Sequence, residues 1–504
     1  MNDVLEGGYA DGGDGGGTDV PHWAVRPTKT KDLSPDQHAA LSGVRAWLDR
    51  GTGAKRTLTL AGFGGTGKSY ILSVLAQELD GSSLAFCAFT GKASSVLARK
   101  LAQAGVKTVS RAVPRDEGGI ARYEVRPYCG TIHGLVYRPC PVCMIDNTTV
   151  EPEHTKTAGC REDLGAPDIA KKVMVVSCPA CLAPPVPPPK PILSSCGTCN
   201  NARYLRRDKL DRNYSLIIVD EASMVSDDIL ETLLRHGVPL LAVGDHGQLP
   251  PVRGAGSLMR APDLRLEKIH RQAEGNPIIQ LSKRIRETGD IADELEDGQF
   301  FTILARRKLE DWIATRFPAS RLERDPCAPE SVLGTVLVSW TNRLRCSLNY
   351  DVRAALGTTD EPPTKGEVVV CLKNTPPVYN GMRAILENDG VRSGGGKTPK
   401  VAADLWFAED GIRNAGTLMS EFQFFEEKTI DFDKVKEMGV SFAALGGLYD
   451  FGYALTCHKM QGSQAADVGV VLEPSMYRVM SREDRTRWMY TAATRAERTL
   501  TVFR

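Results

Sequence analysis

The sequence predicts an α/β protein built on two parallel-sheet layers, and three observations carry that prediction. Short apolar runs alternate with helical patterns: TLTLAG (57–62), LAFCAFT (84–90), SLIIVDEA (215–222) and PLLAVGD (239–245) have the form of buried parallel strands. A second series of the same kind follows in TVLVSWTN (335–342), YALTCHKMQG (453–462) and DVGVVLE (467–473). The chain is also long enough, since 504 residues with 42% hydrophobic and 25% charged side chains supply more than one core.

Residues 1–32 are rich in Gly and Asp and are expected to form a flexible tail. With neither a basic lead nor an apolar block they do not read as a secretory signal, which makes the cytosol the expected compartment. No apolar run approaches the ~20 residues of a membrane span. Lys plus Arg (63) balances Asp plus Glu (62), so a basic surface for nucleic acid would have to be local.

From Leu33, the run LSPDQHAALSGVRAWLD carries a Ser34 cap, Pro35 in the first turn and Leu41, Val44 and Leu48 on one face, which predicts an amphipathic helix. Strand 57–62 then leads through Gly62-Phe63-Gly64-Gly65-Thr66-Gly67-Lys68-Ser69 into a helical pattern. This is a phosphate loop: glycines let backbone N–H groups and the helix terminus close on phosphates, with Gly64, Gly65, Thr66 and Gly67 as the cradle. Lys68 is the candidate for the β- and γ-phosphates, and Ser69 for Mg²⁺. Downstream, Leu216-Ile217-Ile218-Val219-Asp220-Glu221 ends a buried strand on two carboxylates. Asp220 is placed for the metal side and Glu221 to orient or deprotonate an attacking water. Together they predict a nucleoside triphosphatase.

Between 138 and 207 the α/β pattern breaks into Cys pairs and the run PPVPPPKP (184–191), which marks an inserted module. Eight of the thirteen cysteines lie from Cys129 to Cys199. The pair Cys178 and Cys181 and the pair Cys196 and Cys199 have the spacing of a structural Cys₄ zinc site, whose thiolates meet the ion at ~2.3 Å. Cys140, Cys143, His154 and Cys160 are candidates for a second zinc, and a swapped pairing of Cys140 and Cys143 with either later pair stays open, as do disulfides or a redox pair. Cys87, Cys327, Cys346, Cys371 and Cys457 read as buried small residues or free thiols. Residues 202–209 (ARYLRRDK) suit phosphate contact and stacking, or equally a solvated charged helix. Between 362 and 448, Lys365–Val370 and Val378–Ala384 read as strands around an Asn-Gly turn, which predicts a small β-barrel.

In chain order these motifs resemble those of superfamily 1 DNA helicases of the RecD/Dda type. Leu33-Ser34-Pro35-Asp36-Gln37 is similar to that family's glutamine motif, which implies that Gln37 reads the adenine edge. Phe89-Thr90-Gly91-Lys92-Ala93 and Thr131-Ile132-His133 resemble motifs that touch single-stranded DNA. Gly244-Asp245-His246-Gly247-Gln248-Leu249-Pro250-Pro251 resembles motif III, with Gln248 sensing the γ-phosphate and Pro250 and Pro251 facing the DNA. Ile269-His270-Arg271-Gln272 and Tyr490-Thr491-Ala492-Ala493-Thr494-Arg495 resemble motifs IV and VI, whose arginines, here Arg271 and Arg495, meet transition-state charge. Trp340-Thr341-Asn342 and Thr456-Cys457-His458-Lys459-Met460-Gln461-Gly462-Ser463 resemble further DNA-contact and coupling motifs. Gln464 departs from the pattern, standing where the family usually carries glutamate.

The resemblance implies two RecA-like P-loop motor domains, 33–262 and 263–504, the second with an SH3-like β insertion (362–448); the Cys-rich zinc insertion read from its cysteine spacing (138–207) interrupts the first. The same resemblance implies an ATP-dependent, Mg²⁺-using DNA helicase that moves 5′ to 3′ on single-stranded DNA and unwinds duplexes. Thr90, His133, Pro250, Pro251, Thr341, Asn342, Thr456 and His458 would contact DNA, and Gly462 would belong to the nucleotide site. Expected partners are single-stranded and forked DNA, with single-strand-binding protein or replisome components, around a monomer in replication, repair or recombination. The zinc module sits where similar helicases carry a duplex-splitting wedge. Two alternatives share these residues: a translocase that remodels nucleoprotein without unwinding, and a zinc-containing DNA-binding scaffold with a silent ATPase.

Overall fold

The computed structural model describes residues 33–50, 55–79, 83–108, 127–139, 204–251, 254–268, 277–291, 301–323, 331–359, 362–375, 378–393, 398–440 and 442–504. Arg271 lies outside the described residues. So do all the candidate zinc ligands: Cys178, Cys181, Cys196 and Cys199 of the first expected site, and Cys140, Cys143, His154 and Cys160 of the second. Among the described residues no group of His, Cys, Asp and Glu is arranged to hold a metal ion.

A six-stranded sheet holds the first half, in the spatial order Tyr128–Thr131, Leu84–Ala88, Leu216–Asp220, Leu240–Gly244, Thr57–Gly62 and Leu264–Leu266, with every pair parallel. Its inner strands Leu84–Ala88, Leu216–Asp220 and Leu240–Gly244 are apolar up to their carboxyl ends because both faces are covered. Leu60, Phe86, Ile218 and Val243 pack with Leu41, Ile71, Leu75 and Leu97 of the helices Pro35–Asp49, Lys68–Glu78 and Gly91–Gln103. Their strand neighbours Ala61, Ala85, Ile217, Val219 and Ala242 pack on the opposite face with Ile132, Leu135 and Leu233. The period of two is therefore present, hidden because neither face is polar. Helix Pro35–Asp49 starts as expected: Ser34 and Gln37 form a reciprocal capping box and Pro35 occupies the first turn.

Two boundaries differ from expectation. Leu264–Leu266 pairs with Leu60–Gly62, so the first sheet runs past residue 262; three residues offer too little alternation to announce a strand. Tyr204–Arg206 is a strand, not a solvated helix, and pairs antiparallel with Tyr137–Pro139. This two-stranded ribbon brings together the two ends of the Cys-rich segment.

The second sheet is also wholly parallel, in the order Ala454–Thr456, Thr335–Ser339, Ala465–Val471, Ala496–Phe503 and Phe301–Leu304. Val336, Val338, Val468 and Val470 face Leu281, Ile285, Trp488 and Met489 from helices Pro277–Thr288 and Arg482–Ala493. Leu337 and Val471 face Trp312, Leu348 and Val352 on the other side.

Between helix Asn342–Leu356 and strand Ala454–Thr456 grows an antiparallel sheet, ordered Val391–Ser393, Lys400–Phe407, Arg383–Leu386, Val368–Cys371 and Tyr449–Phe451, with Ile412–Ser420 paired to Lys400–Phe407. The Asn-Gly turn is present, with Gly381 at φ +88°, and the Met382 amide donates to the Tyr379 carbonyl at 3.1 Å. The sheet closes on Tyr449–Phe451, beyond the expected end at 448; all three of those residues are buried, so no alternation marked them. Buried pairs tie the sheet to its helix: Arg353 to Glu367 at 2.8 Å, and Arg345 to Asp450. Among the described residues no helix is long and apolar enough to cross a membrane.

Candidate active site

Three neighbouring strands of the first sheet end on functional groups, and ligands bind at such carboxyl ends in α/β proteins. Thr57–Gly62 runs into the phosphate loop, Leu240–Gly244 into Asp245, and Leu216–Asp220 into the two carboxylates. Gly65 and Gly67 take φ of +87° and +84°, a left-handed conformation that opens the cradle. A Cβ at Gly67 would collide with Gln37 Nε2. Lys68 Nζ donates to the carbonyls of Gly62 at 2.7 Å and Phe63 at 3.0 Å, and so is held across the loop mouth. Ser69 Oγ accepts from Lys100 Nζ at 3.1 Å.

Asp220 Oδ1 accepts the Glu221 amide at 2.9 Å, which stiffens the strand end. Glu221 itself sits at φ +52°, a strained left-handed position for a side chain other than glycine. Its Oε2 is buried with no hydrogen-bond partner among the described residues. Burial and the adjacent Asp220 raise its pKa, against the pull of Arg495 and Lys68. A buried, raised, unpartnered carboxylate beside a phosphate cradle is what a general base needs.

The second sheet supplies the far wall. Arg495 is 5% exposed, and its guanidinium donates to Thr491 O, Ser463 O and Thr494 Oγ1 at 3.0, 3.1 and 3.0 Å. These bonds aim it into a cleft of about 920 Å³ that Gly64, Gly65, Gly67, Lys68, Ser69, Asp220, Glu221, Gln248 and Gly462 also line. Gly462, at φ +74°, stands against Ala93 of the first half. Gln464 lines the same cleft and donates to Thr494 O at 3.4 Å. The structure thus gathers every described member of the expected catalytic set into one cleft.

Gln37 is placed differently. Its Nε2 donates to Thr66 O at 3.1 Å and its Oε1 accepts the Ser34 amide at 3.0 Å, so it braces the phosphate loop from behind and is 3% exposed. The expected DNA contacts include helix caps. Thr90 accepts the Ala93 amide at 3.1 Å; Thr341 accepts the Leu344 amide at 3.2 Å and donates to Glu473 at 2.9 Å. Asn342 is exposed and accepts from Arg345 Nε at 3.3 Å. Thr456 is nearly buried ahead of the turn Cys457–Met460, while burial lowers the pKa of His458. Pro250 and Pro251 are half-buried. His133 is exposed, stacks on Tyr137 at 5.6 Å and meets the Phe89 edge at 6.2 Å, an aromatic row at the foot of the ribbon. Cys129 is a core residue whose thiol burial pushes up to about 12, which sets it apart from the metal-ligating cysteines expected beyond it; Cys87, Cys371 and Cys457 are buried as expected.

Residue typing alone missed the groups that join the two halves. Tyr490 Oη accepts the Gly64 amide at 3.3 Å and donates to Asp245 Oδ2 at 2.7 Å. Asp245, fully buried, also receives Gly247 N at 2.9 Å and Gln248 Nε2 at 3.3 Å. Leu249 is gripped at both ends of its peptide: its amide donates to Thr491 Oγ1 at 3.0 Å and its carbonyl accepts from Gln461 Nε2 at 3.2 Å. Its side chain belongs to the hydrophobic core of the second half. The sequence marked these residues only as members of the strings 244–251 and 490–495, with no local signal that the two strings meet.

The family model described as AAA domain matches residues 32–303, more than half of the chain, and one described as UvrD-like helicase C-terminal domain matches residues 451–503. An ATP-dependent RecD2 DNA helicase from Deinococcus radiodurans is 28% identical over 313 residues, covering 56% of this chain and 35% of its own, so this chain spans about a third of that relative's length. Among solved structures, Pif1 helicase from Candida albicans shares 17% identity at a TM-score of 0.42 over 94% of each chain. Bacteroides Pif1 in complex with ADP-AlF3 and ssDNA shares 14% at 0.42, over 93% of this chain and 92% of that one.

Proposed function

This chain belongs to the AAA domain family, and from that footing we propose that it is an ATP-dependent DNA helicase that translocates on single-stranded DNA. One observation carries the reading: Lys68, Asp220 and Glu221 from the first parallel sheet and Arg495 from the second line a single cleft. Hydrolysis then requires the two halves to be together, which is how phosphate chemistry becomes relative motion of domains.

The donor set fits Mg·ATP. The left-handed glycines and Lys68 suit the β- and γ-phosphates, and Ser69 and Asp220 would hold the ion, which supplies charge neutralisation on the phosphate oxygens. Glu221 takes the proton of the attacking water at its carboxylate, and Arg495 meets the charge that develops on the transferred group. Gln248, buried between cleft and Asp245, reports phosphate occupancy to Leu249 and so to the second half. Arg271, by the same resemblance, would add a second cation.

The antiparallel sheet is read as the SH3-like insertion that helps to enclose a strand, and the polarity as 5′ to 3′. The Cys pairs, with Cys178, Cys181, Cys196 and Cys199 as the first ligand set, are read as structural zinc knuckles on a fork-splitting element. The ribbon Tyr137–Pro139 with Tyr204–Arg206 supports this, because it presents the segment's two ends side by side next to His133.

The test is ATP hydrolysis with and without single-stranded DNA, together with unwinding of forks that carry only a 5′ or only a 3′ tail. Stimulation with 5′-tail unwinding bears the proposal out. Stimulation without unwinding selects a translocase, and absence of hydrolysis selects a scaffold.

A further inference from the structure

The cleft lined by the phosphate loop also contains cations that the catalytic reading leaves without a task. Lys92, from the start of helix Gly91–Gln103, is 4% exposed; Arg383, from the antiparallel sheet, is 3% exposed; both line the cleft. They share one carboxylate. Glu409 Oε2 lies 2.5 Å from Lys92 Nζ, and Glu409 Oε1 lies 3.2 Å from Arg383 Nη2. Arg383 Nη2 also donates to Leu333 O at 2.6 Å, whereas Nη1 is buried with no hydrogen-bond partner among the described residues. Two buried cations against one carboxylate leave an excess positive charge and an unsatisfied donor, an arrangement that is costly unless an anion completes it.

We propose that Lys92 and Arg383 form a second anion subsite in the cleft, for orthophosphate, with Glu409 as the resident group that the phosphate displaces. Phosphate suits the pair better than a carboxylate does, since its extra oxygens reach both nitrogens of the guanidinium fork while still meeting the ammonium. Glu409 can yield: it sits in the three-residue turn Ala408–Asp410 with its side chain 29% exposed. The subsite rests on the ATP-hydrolysis reading for its source of ligand, the phosphate formed beside Glu221. Phosphate on Lys92 and Arg383 would break the Lys92–Glu409 ion pair while the Ser95 hydroxyl still donates to Asp410 at 2.9 Å and Arg99 to the Glu409 carbonyl, and so loosen, without severing, the contact between helix Gly91–Gln103 and the turn Ala408–Asp410 as product departs.

The experiment is calorimetric titration of inorganic phosphate into the full chain saturated with MgADP, which fills the phosphate loop. The unmodified protein binds one phosphate. Arg383→Gln weakens it about tenfold, as loss of a charged hydrogen-bond donor does, and Lys92→Gln does likewise if Arg383→Gln fails to fold. Glu409→Gln tightens it severalfold by removing the competitor. Opposite signs at one contact are not what a merely structural ion pair gives. Equal weakening in all variants, or no change in any, overturns the subsite, as does displacement of the bound phosphate by a short single-stranded oligonucleotide. Binding that vanishes in Lys68→Ala without nucleotide, while Arg383→Gln and Glu409→Gln leave it unchanged, places the anion on the phosphate loop and also overturns it. Hydrolysis is measured separately, so an inactive protein with the stated titration pattern refutes the ATPase reading and leaves the subsite standing.

Discussion

The hydroxyl of Tyr490 donates a 2.7 Å hydrogen bond to Asp245 and accepts the Gly64 amide, so one side chain of the second half touches both the phosphate loop and the strand end beside it. Tyr490 and Asp245 are buried, and burial together with Asp245 raises the Tyr490 pKa far above the ordinary phenol. The phenol therefore stays protonated and the bond holds across the working pH range.

Tyr490→Phe removes that donor while Asp245 keeps the bonds from Gly247 and Gln248. Losing a hydrogen bond to a charged group costs about 1.5–3 kcal/mol, so the DNA-stimulated hydrolysis rate should fall about tenfold or more. Steady-state rates with saturating single-stranded DNA measure this. An unchanged rate would show that the contact is packing alone.

Glu221→Gln should lower hydrolysis by roughly 10²–10⁴, the usual worth of a general base, with nucleotide still bound. The acid limb of the parent's rate profile should lie at higher pH than an ordinary glutamate gives, because burial and Asp220 raise the Glu221 pKa. Activity needs the ionised form and disappears as pH falls through that raised value. A rate profile across the acid range checks the sign.

Glu409 behaves in the opposite sense. Burial works to raise its pKa, but Lys92 and Arg383 bring it down to about 2. A folded-state pKa below the ordinary 4.5 means that the tie is fully present above 4.5 and fades as pH drops towards 2. The difference in melting temperature between the parent and Glu409→Gln should therefore shrink between about pH 6 and about pH 3. A constant difference would refute the ion-pair account.

Excising residues 140–203 and joining the ribbon strands by a short Gly linker should preserve DNA-stimulated hydrolysis and abolish fork unwinding, because Tyr137–Pro139 and Tyr204–Arg206 already pair. The parent should release zinc to a chelator and the excised protein should not, as metal analysis would show. Fork unwinding by the excised chain would dismiss the wedge.

Much of the site was legible locally. The phosphate loop declares itself because tight backbone closure on phosphates admits only glycine at positions such as Gly67, where φ is +84°. Asp220 and Glu221 do so only in combination with that loop, since a buried strand that ends on acidic residues is otherwise an ordinary strand end. Gln37 was legible as a residue and not as a contact: nothing local tells whether its amide points at a base or, as here, at Thr66 O behind the loop.

The sequence by itself determined the two parallel-sheet layers, the antiparallel insertion and the phosphate chemistry, since hydrophobic periodicity and backbone geometry act over a few residues. Only the tertiary structure decided how the halves are joined. Asp245 meets Tyr490 across 245 residues of chain and Lys92 meets Glu409 across 317, and such pairs leave no local pattern. Their strength comes from burial, which screens them from water and makes each charge depend on the one partner that the fold brings to it.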